Sequence, residues 1–350
     1  MNEFLRIPSF MRGNCEALPG LWYLACSASA ITPGQKWPVD ILDRSLLLGR
    51  LNNGELFAYR DICPGCGLPM RCGTFENDML VCCLQGWRFD ALDGACVDIP
   101  SAANNHYTSA AYHRLTAVPV VERYGQIWIL SEDAGLASIT GPFFPRLPVE
   151  EAEKPQISTV LRLASDFGPV SSVFDPAIPA FVHMSNWWKG ELSGGFESKP
   201  KEFEATALGF RVRSHGLKPL TTPYRLFGSE ISIDIEVRLP GIRIERVSGS
   251  RNSACILTAA TPGSKGFTDL HCAIYWTMPW LAPVRPILRY MLRTILKRHG
   301  IPAGISGPAF GERDWQRLWF RQIQHEFVAS RSQGRLFRNP VVAEQANYGS

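Results

Sequence analysis

Apolar and polar residues alternate with period two through much of this chain, and that alternation predicts β-strands. Between residues 20 and 133 the apolar runs are short and bounded by Gly, Asn and Asp. "SLLLGRL" (45–51), "ELFAYRD" (55–61), "MLVCCL" (79–84) and "QIWILSE" (126–132) read as strands joined by hairpins. Asn52-Asn53-Gly54 is a strong hairpin turn signal. The Pro-rich stretch "ITGPFFPRLPVEEAEKP" (139–155) reads as a linker between domains. Beyond it, "SSVFDPAIPAFVHMSNWW" (171–188) suggests helical pieces broken by prolines. Strands are expected at 209–217, 230–239, 242–249, 253–262 and 269–278. "ISIDIEV" (231–237) alternates cleanly, as a half-buried sheet does. Two helices are expected near the end, over 286–300 and 311–331. The fold class is therefore α+β, with one unit at 20–135 and another at 155–335.

Composition adds limits. The chain has 350 residues, enough for two domains with their own cores. At 45% hydrophobic and 19% charged it is globular, and a net charge of +4 gives no footing for nucleic-acid binding. No segment reaches the ~18 uninterrupted apolar residues of a membrane span. The first twenty residues lack the apolar centre of a secretory signal. Ten cysteines in such a chain suggest thiols or metal ligands in a reducing compartment, and a cytoplasmic location is expected.

The chemistry concentrates in "DICPGCGLPMRCGTFENDMLVCCLQGWRFDALDGACVDIP" (61–100), which holds six cysteines and no histidine. Its layout resembles the Rieske domain of the Rieske non-haem iron oxygenases. "CPG" stands where that family has Cys-Pro-His. "CCLQGWRFDALDGACVDIP" stands where it has Cys-Pro-Tyr-His-Gly-Trp, then Phe-Asp, a Gly turn and Ile-Pro. "LWYLACSA" (21–28) and "VERYGQIWIL" (121–130) resemble the domain's first and last strands. The resemblance implies an antiparallel β Rieske-like domain followed by a helix-covered antiparallel sheet. It also implies a [2Fe-2S] cluster held by two thiolates and two imidazoles. Carried over by position, Cys63 and Cys82 are the thiolates, while Gly65 and Gln85 occupy the histidine positions. An ordinary Rieske cluster is thus not expected. Cys66, Cys72, Cys83 and Cys96 lie nearby. Cys63-x-x-Cys66 with Cys82 resembles a thiolate metal site. Against it, Cys82 and Cys83 on one strand would face opposite ways, and the spacing matches no recognised zinc or iron–sulfur pattern. The plainer reading is of small, soft, buried residues left in a decayed pocket.

The family's second centre is a mononuclear Fe(II) on Asp-x-x-His-x-x-x-x-His and a later carboxylate. Here "DPAIPAFVH" places Asp175 at the acidic position that links the two centres and His183 at the second histidine. Ile178 stands at the first. Asp314, in "GERDWQRLWFRQ", is favoured over Glu312 as the carboxylate, and a solvated helix start is the competing account. Both centres thus lack histidines.

The resemblance implies self-association, and with the missing ligands it suggests a pseudoenzyme. The expected role is a non-catalytic partner or scaffold in a homo- or hetero-oligomer beside a complete Rieske oxygenase paralogue. The alternative is an oxidoreductase with altered metal ligation acting on a small apolar substrate. The aromatics around "NWWK" (186–189) leave a hydrophobic ligand open. Arg285, Arg289, Arg293 and Lys297, opposite Ile287, Leu288, Met291, Leu292, Ile295 and Leu296, suggest a surface helix or a peripheral membrane contact.

Overall fold

The computed structural model describes residues 18, 20–100, 113–131, 144–164, 202–217, 226–264, 266–299 and 312–342. Three small antiparallel sheets form the first part. β1 (Trp22–Ser27) pairs with β10 (Gln126–Leu130), which pairs with β9 (Val120–Arg123). The strands expected at the two ends of this part therefore meet and close it. β2 (Gln35–Ile41), β3 (Arg44–Arg50) and β4 (Leu56–Arg60) form a meander. The Asn52–Gly54 turn joins β3 to β4, with Arg50 opposite Leu56 and Gly54 at φ 94°. β5 (Thr74–Glu76), β6 (Met79–Val81), β7 (Arg88–Asp90) and β8 (Cys96–Asp98) make a four-stranded sheet at the cysteine-rich end. The strand expected over "MLVCCL" stops at Val81, because the chain turns into a loop at Cys82.

The second part is one seven-stranded antiparallel sheet. Its strands are β11 (Ile157–Ala164), β12 (Glu202–Thr206), β13 (Gly209–Leu217), β14 (Ile231–Arg238), β15 (Ile242–Ser248), β16 (Ser253–Pro262) and β17 (Phe267–Trp276). They are ordered β11-β17-β16-β15-β14-β13-β12. β14 shows the expected alternation of buried and half-buried positions from Ile231 to Glu236. Helices α1 (Arg285–His299) and α2 (Glu312–Ser332) follow. The α+β class holds. No helix among the described residues is long and apolar enough to cross a membrane.

One face of β15–β17 presents Ile242, Ile244, Leu257 and Tyr275 to Trp22, Leu24, Trp128 and Leu130 of the first part. Each buried aliphatic side chain of this kind stabilises the fold by roughly 1.5–3 kcal/mol. Hydrogen bonds stitch the same seam. The Thr261 hydroxyl donates to the Leu24 carbonyl at 2.7 Å, and the Tyr275 hydroxyl donates to the Tyr124 carbonyl at 2.6 Å. The stretch expected to be a linker is no free tether where it is described. Phe144 and Leu147 are buried in this core, with the Phe144 ring edge-on to Trp22 at 5.2 Å and to Trp128 at 5.5 Å.

On α1, Leu288, Leu292 and Leu296 pack against Ile157, Ile256 and Ile274. Ile287, expected on the apolar side, is 61% exposed and lies with exposed Tyr290 among the arginines. The packed row follows the i, i+4, i+8 spacing, and Ile287 falls one position outside it.

Candidate metal centre

Two loops project from the four-stranded sheet, and the backbone builds both the same way. In the first, the Cys63 N–H donates to the Leu68 carbonyl at 2.8 Å and the Gly67 N–H donates to the Cys63 carbonyl at 2.8 Å. In the second, the Cys82 N–H donates to the Trp87 carbonyl at 2.8 Å and the Gly86 N–H donates to the Cys82 carbonyl at 3.0 Å. Gly67 and Gly86 take φ of 73° and 68°, the left-handed region that glycine enters without strain. Position by position, Cys63 corresponds to Cys82, Gly65 to Leu84, Cys66 to Gln85 and Gly67 to Gly86. The correspondence extends to hydrogen bonds at sulfur. The N–H groups of Gly65 and Cys66 donate to Cys63, and those of Leu84 and Gln85 donate to Cys82.

The two loops bring three sulfurs together. Those of Cys63, Cys66 and Cys82 all lie within 4.8 Å of one another, and Cys66 Sγ is 3.4 Å from Cys82 Sγ. Cys63 and Cys82 are buried, and Cys66 is half-buried. Cys82 is buried and Cys83 exposed, both in the loop beyond β6 rather than on a strand. Cys72 is also exposed, and Cys96 is buried outside the convergence.

The electrostatics are uneven. Burial pushes the Cys63 thiol up to about 12, more than the backbone donors of Cys66 and Gly65 offset. Burial works against a Cys82 thiolate too, but the N–H groups of Gln85 and Leu84 and the Cys66 and Cys63 thiols act on its sulfur. Its net shift is downward. Asp61 anchors the neighbouring turn: it is buried, accepts the Arg71 backbone N–H at 2.7 Å and is paired with the Arg71 guanidinium. Lys36 Nζ donates to the carbonyls of Met70, Arg71 and Gly73.

Does this arrangement suit a Rieske cluster? The second iron needs two imidazoles. Position 65 offers no side chain, and a Cβ built there would stand 2.7–2.8 Å from the six-membered ring of Trp87. Gln85 is exposed and offers an amide. His113 contacts Trp87 at a ring separation of 4.8 Å and is not part of the convergence. The residues present do not fit the [2Fe-2S] group.

Asp175, Ile178 and His183, expected at the mononuclear iron centre, lie outside the described residues. α2 begins at Glu312, which places Glu312 and Asp314 in its first turn, and their side chains too lie outside what is described.

Paired cysteine loops on a small four-stranded sheet, followed by a seven-stranded helix-bearing sheet, define the class: this is the fold of the Rieske oxygenases. Residues 21–122 match the Rieske [2Fe-2S] domain family. Among characterised proteins, the chain is 30% identical over 156 residues to the 4beta-methylsterol monooxygenase of Methylococcus capsulatus, covering 42% of each. It is 27% identical over 156 residues to the vanillate O-demethylase oxygenase subunit of a Pseudomonas species, covering 43% of this chain and 44% of that protein. The chain is thus matched over less than half the length of these relatives. Among solved structures, dicamba monooxygenase bound to 3,6-dichlorosalicylic acid superposes with a TM-score of 0.68 at 18% identity, over 91% of this chain and 99% of the other. NdmA of Pseudomonas putida superposes with a TM-score of 0.60 at 16% identity, over 90% of this chain and 92% of the other. At these identities the superpositions establish the fold.

Position matching located Cys63 and Cys82 but not the third sulfur. Cys66 was legible through its loop: Cys63-x2-Cys66-x15-Cys82-x2-Gln85 is a zinc-site spacing with its last cysteine replaced. Counted to Gln85 rather than Cys83, the run departs from that four-cysteine pattern at its last position. Of the six cysteines of this segment, Cys63, Cys66 and Cys82 converge, while Cys72, Cys83 and Cys96 stay outside the group.

Proposed function

We propose that this chain is a Rieske-oxygenase-fold subunit that does not relay electrons through a Rieske cluster and acts as a non-catalytic partner of a complete relative. The observation that carries this is the pair of histidine positions: Gly65, closed over by the Trp87 ring, and Gln85, an exposed amide. In the family's division of labour the cluster feeds electrons to the mononuclear iron. A chain without the first relay has no route of its own to the second, whatever residues 175–183 hold. Its use then lies in shape. The division into a cluster-type unit at 20–135 and a catalytic-type unit at 155–335 belongs to the same proposal, as does assembly into homo- or hetero-oligomers. The family's [2Fe-2S] and Fe(II) are not expected in their usual form.

Protein purified without air tests the reading. It is expected to show no Rieske-type visible or electron paramagnetic resonance signal and far less than two irons per chain. Stoichiometric iron and acid-labile sulfide with a Rieske signal would overturn it. Coexpression with a Rieske oxygenase that keeps both histidine pairs, followed by light scattering, is expected to give a mixed assembly.

A further inference from the structure

We propose that Cys63, Cys66 and Cys82 bind a single thiophilic metal ion of the zinc(II) type, which replaces the two-iron cluster as the clamp between the two loops. The first support is distance. Around one ion with metal–sulfur bonds of about 2.3 Å in a tetrahedron, ligand sulfurs lie about 3.8 Å apart. The three sulfurs here are all within 4.8 Å of one another, with one pair at 3.4 Å. A two-iron cluster spreads its ligands over two metals and does not draw three of them to one point.

The second support is the backbone. Both loops aim two successive N–H groups at the sulfur of their first cysteine, those of Gly65 and Cys66 at Cys63 and those of Leu84 and Gln85 at Cys82. Such donors stabilise metal-bound thiolates and hold each sulfur in a fixed orientation. Both loops also close with a left-handed glycine directly after the second ligand position, Gly67 after Cys66 and Gly86 after Gln85. The two loops thus form one binding frame with four ligand positions, 63, 66, 82 and 85, of which three carry thiols.

The fourth position fixes the character of the site. Gln85 occupies the place that corresponds to Cys66 in the other loop, and it is exposed. The ion keeps one coordination position toward solvent, filled by water. On binding, the three thiols release their protons to the buffer as three metal–sulfur bonds form, and no electron is transferred. Soft thiolate sets favour zinc and similar ions over magnesium or calcium.

The inference rests on the reading that no Rieske cluster forms, and one measurement separates the two. The full chain is purified without air in a reducing buffer and assayed for zinc, iron and acid-labile sulfide. One zinc and no sulfide per chain supports both ideas. Two irons with two sulfides overturns both. A metal-free chain that takes up neither zinc(II) nor cobalt(II) on titration overturns this inference and leaves the proposed function standing. With cobalt(II) as the probe, thiolate-to-cobalt charge-transfer absorption is expected from the wild type. Cys66→Ser is expected to weaken binding by more than about 100-fold, since outer-shell groups alone are worth about 10–100-fold. Cys72→Ser and Cys83→Ser are expected to leave binding unchanged. Gln85→Cys completes the frame, and should tighten binding and strengthen the charge-transfer band; this gain does not depend on the serine variants folding. Equal binding by wild type, Cys66→Ser and Gln85→Cys overturns the proposal.

Discussion

Cysteine is buried in both parts of this molecule, with different company. In the seven-stranded sheet, Cys255 and Cys272 lie in apolar surroundings, and burial pushes each thiol up to about 12. His271 is buried on β17, and its Nε2 has no hydrogen-bond partner among the described residues. Burial is the largest influence on all three, and it outweighs the opposing effects of Arg246 on Cys255, Thr258 and Arg243 on Cys272, and Asp269 on His271. At the cysteine-rich end, the same degree of burial meets directed backbone N–H groups and neighbouring thiols, and Cys82 shifts downward. Burial alone therefore does not set a thiol's character, nor do backbone donors alone: Cys63, with two such donors, is still pushed up to about 12, while Cys82 shifts downward.

The largest expected effect is on thiol reactivity. After a timed pulse of alkylating agent on the native, metal-free protein, peptide mapping should find exposed Cys72 and Cys83 labelled first. Cys255 and Cys272 should react more slowly by more than about a thousandfold, because they are reached only through openings costing several kcal/mol. Comparable rates would mean that the sheet opens freely. Next comes packing under the loops. Phe89 is fully buried in the core that also holds Cys63, Cys82 and Trp87. Phe89→Ala should cost about 3–5 kcal/mol in denaturant unfolding. It should also weaken metal uptake, whereas Leu257→Ala in the sheet should cost a similar about 2–5 kcal/mol and leave uptake intact.

The third effect is of pH. Burial lowers the His271 pKa from 6.5 to about 4, with Asp269 raising it and Arg162 lowering it by lesser amounts. The unfolded chain takes up this proton below about pH 6.5, while the native state resists it until about pH 4. The stability this contributes is present above pH 6.5 and is lost as the pH falls toward 4, up to about 3 kcal/mol. Midpoints of denaturant unfolding across that window should show the slope, and His271→Leu should flatten it. An unchanged slope would assign the acid sensitivity elsewhere. The smallest effect is at the seam: Thr261→Val removes the hydroxyl bonded to the Leu24 carbonyl and should lower stability by about 1 kcal/mol with no change in metal uptake.

Much of the fold was legible because strand patterning is local. β16 covers the expected 253–262 in full, since its apolar run is bounded on both sides by turn residues. What escaped depended on pairing across the fold. Phe144 and Leu147 sit among prolines, and only the partners Trp22 and Trp128 make them core residues. Ile287 belongs to an apolar helical stripe by sequence, yet the sheet beneath α1 reaches only the row of Leu288, Leu292 and Leu296. At the site, Cys63 and Cys82 were found by their positions in a known motif. Cys66 was named through its spacing from Cys63, but the loop repeat that aligns it with Gln85 was not read, because backbone hydrogen bonds and two glycines carry that repeat rather than side-chain identity.

The apolar seam between the first part and β15–β17 has a consequence for how such a chain is inherited. Gene fusion and exon shuffling redistribute units that remain soluble when cut free. Here a cut would leave Ile242, Ile244, Leu257 and Tyr275 facing water on one side and Trp22, Leu24 and Trp128 on the other. The cysteine loops pack on a separate core with Leu80, Trp87 and Phe89, apart from that seam. The two halves therefore have to travel through evolution as one heritable block.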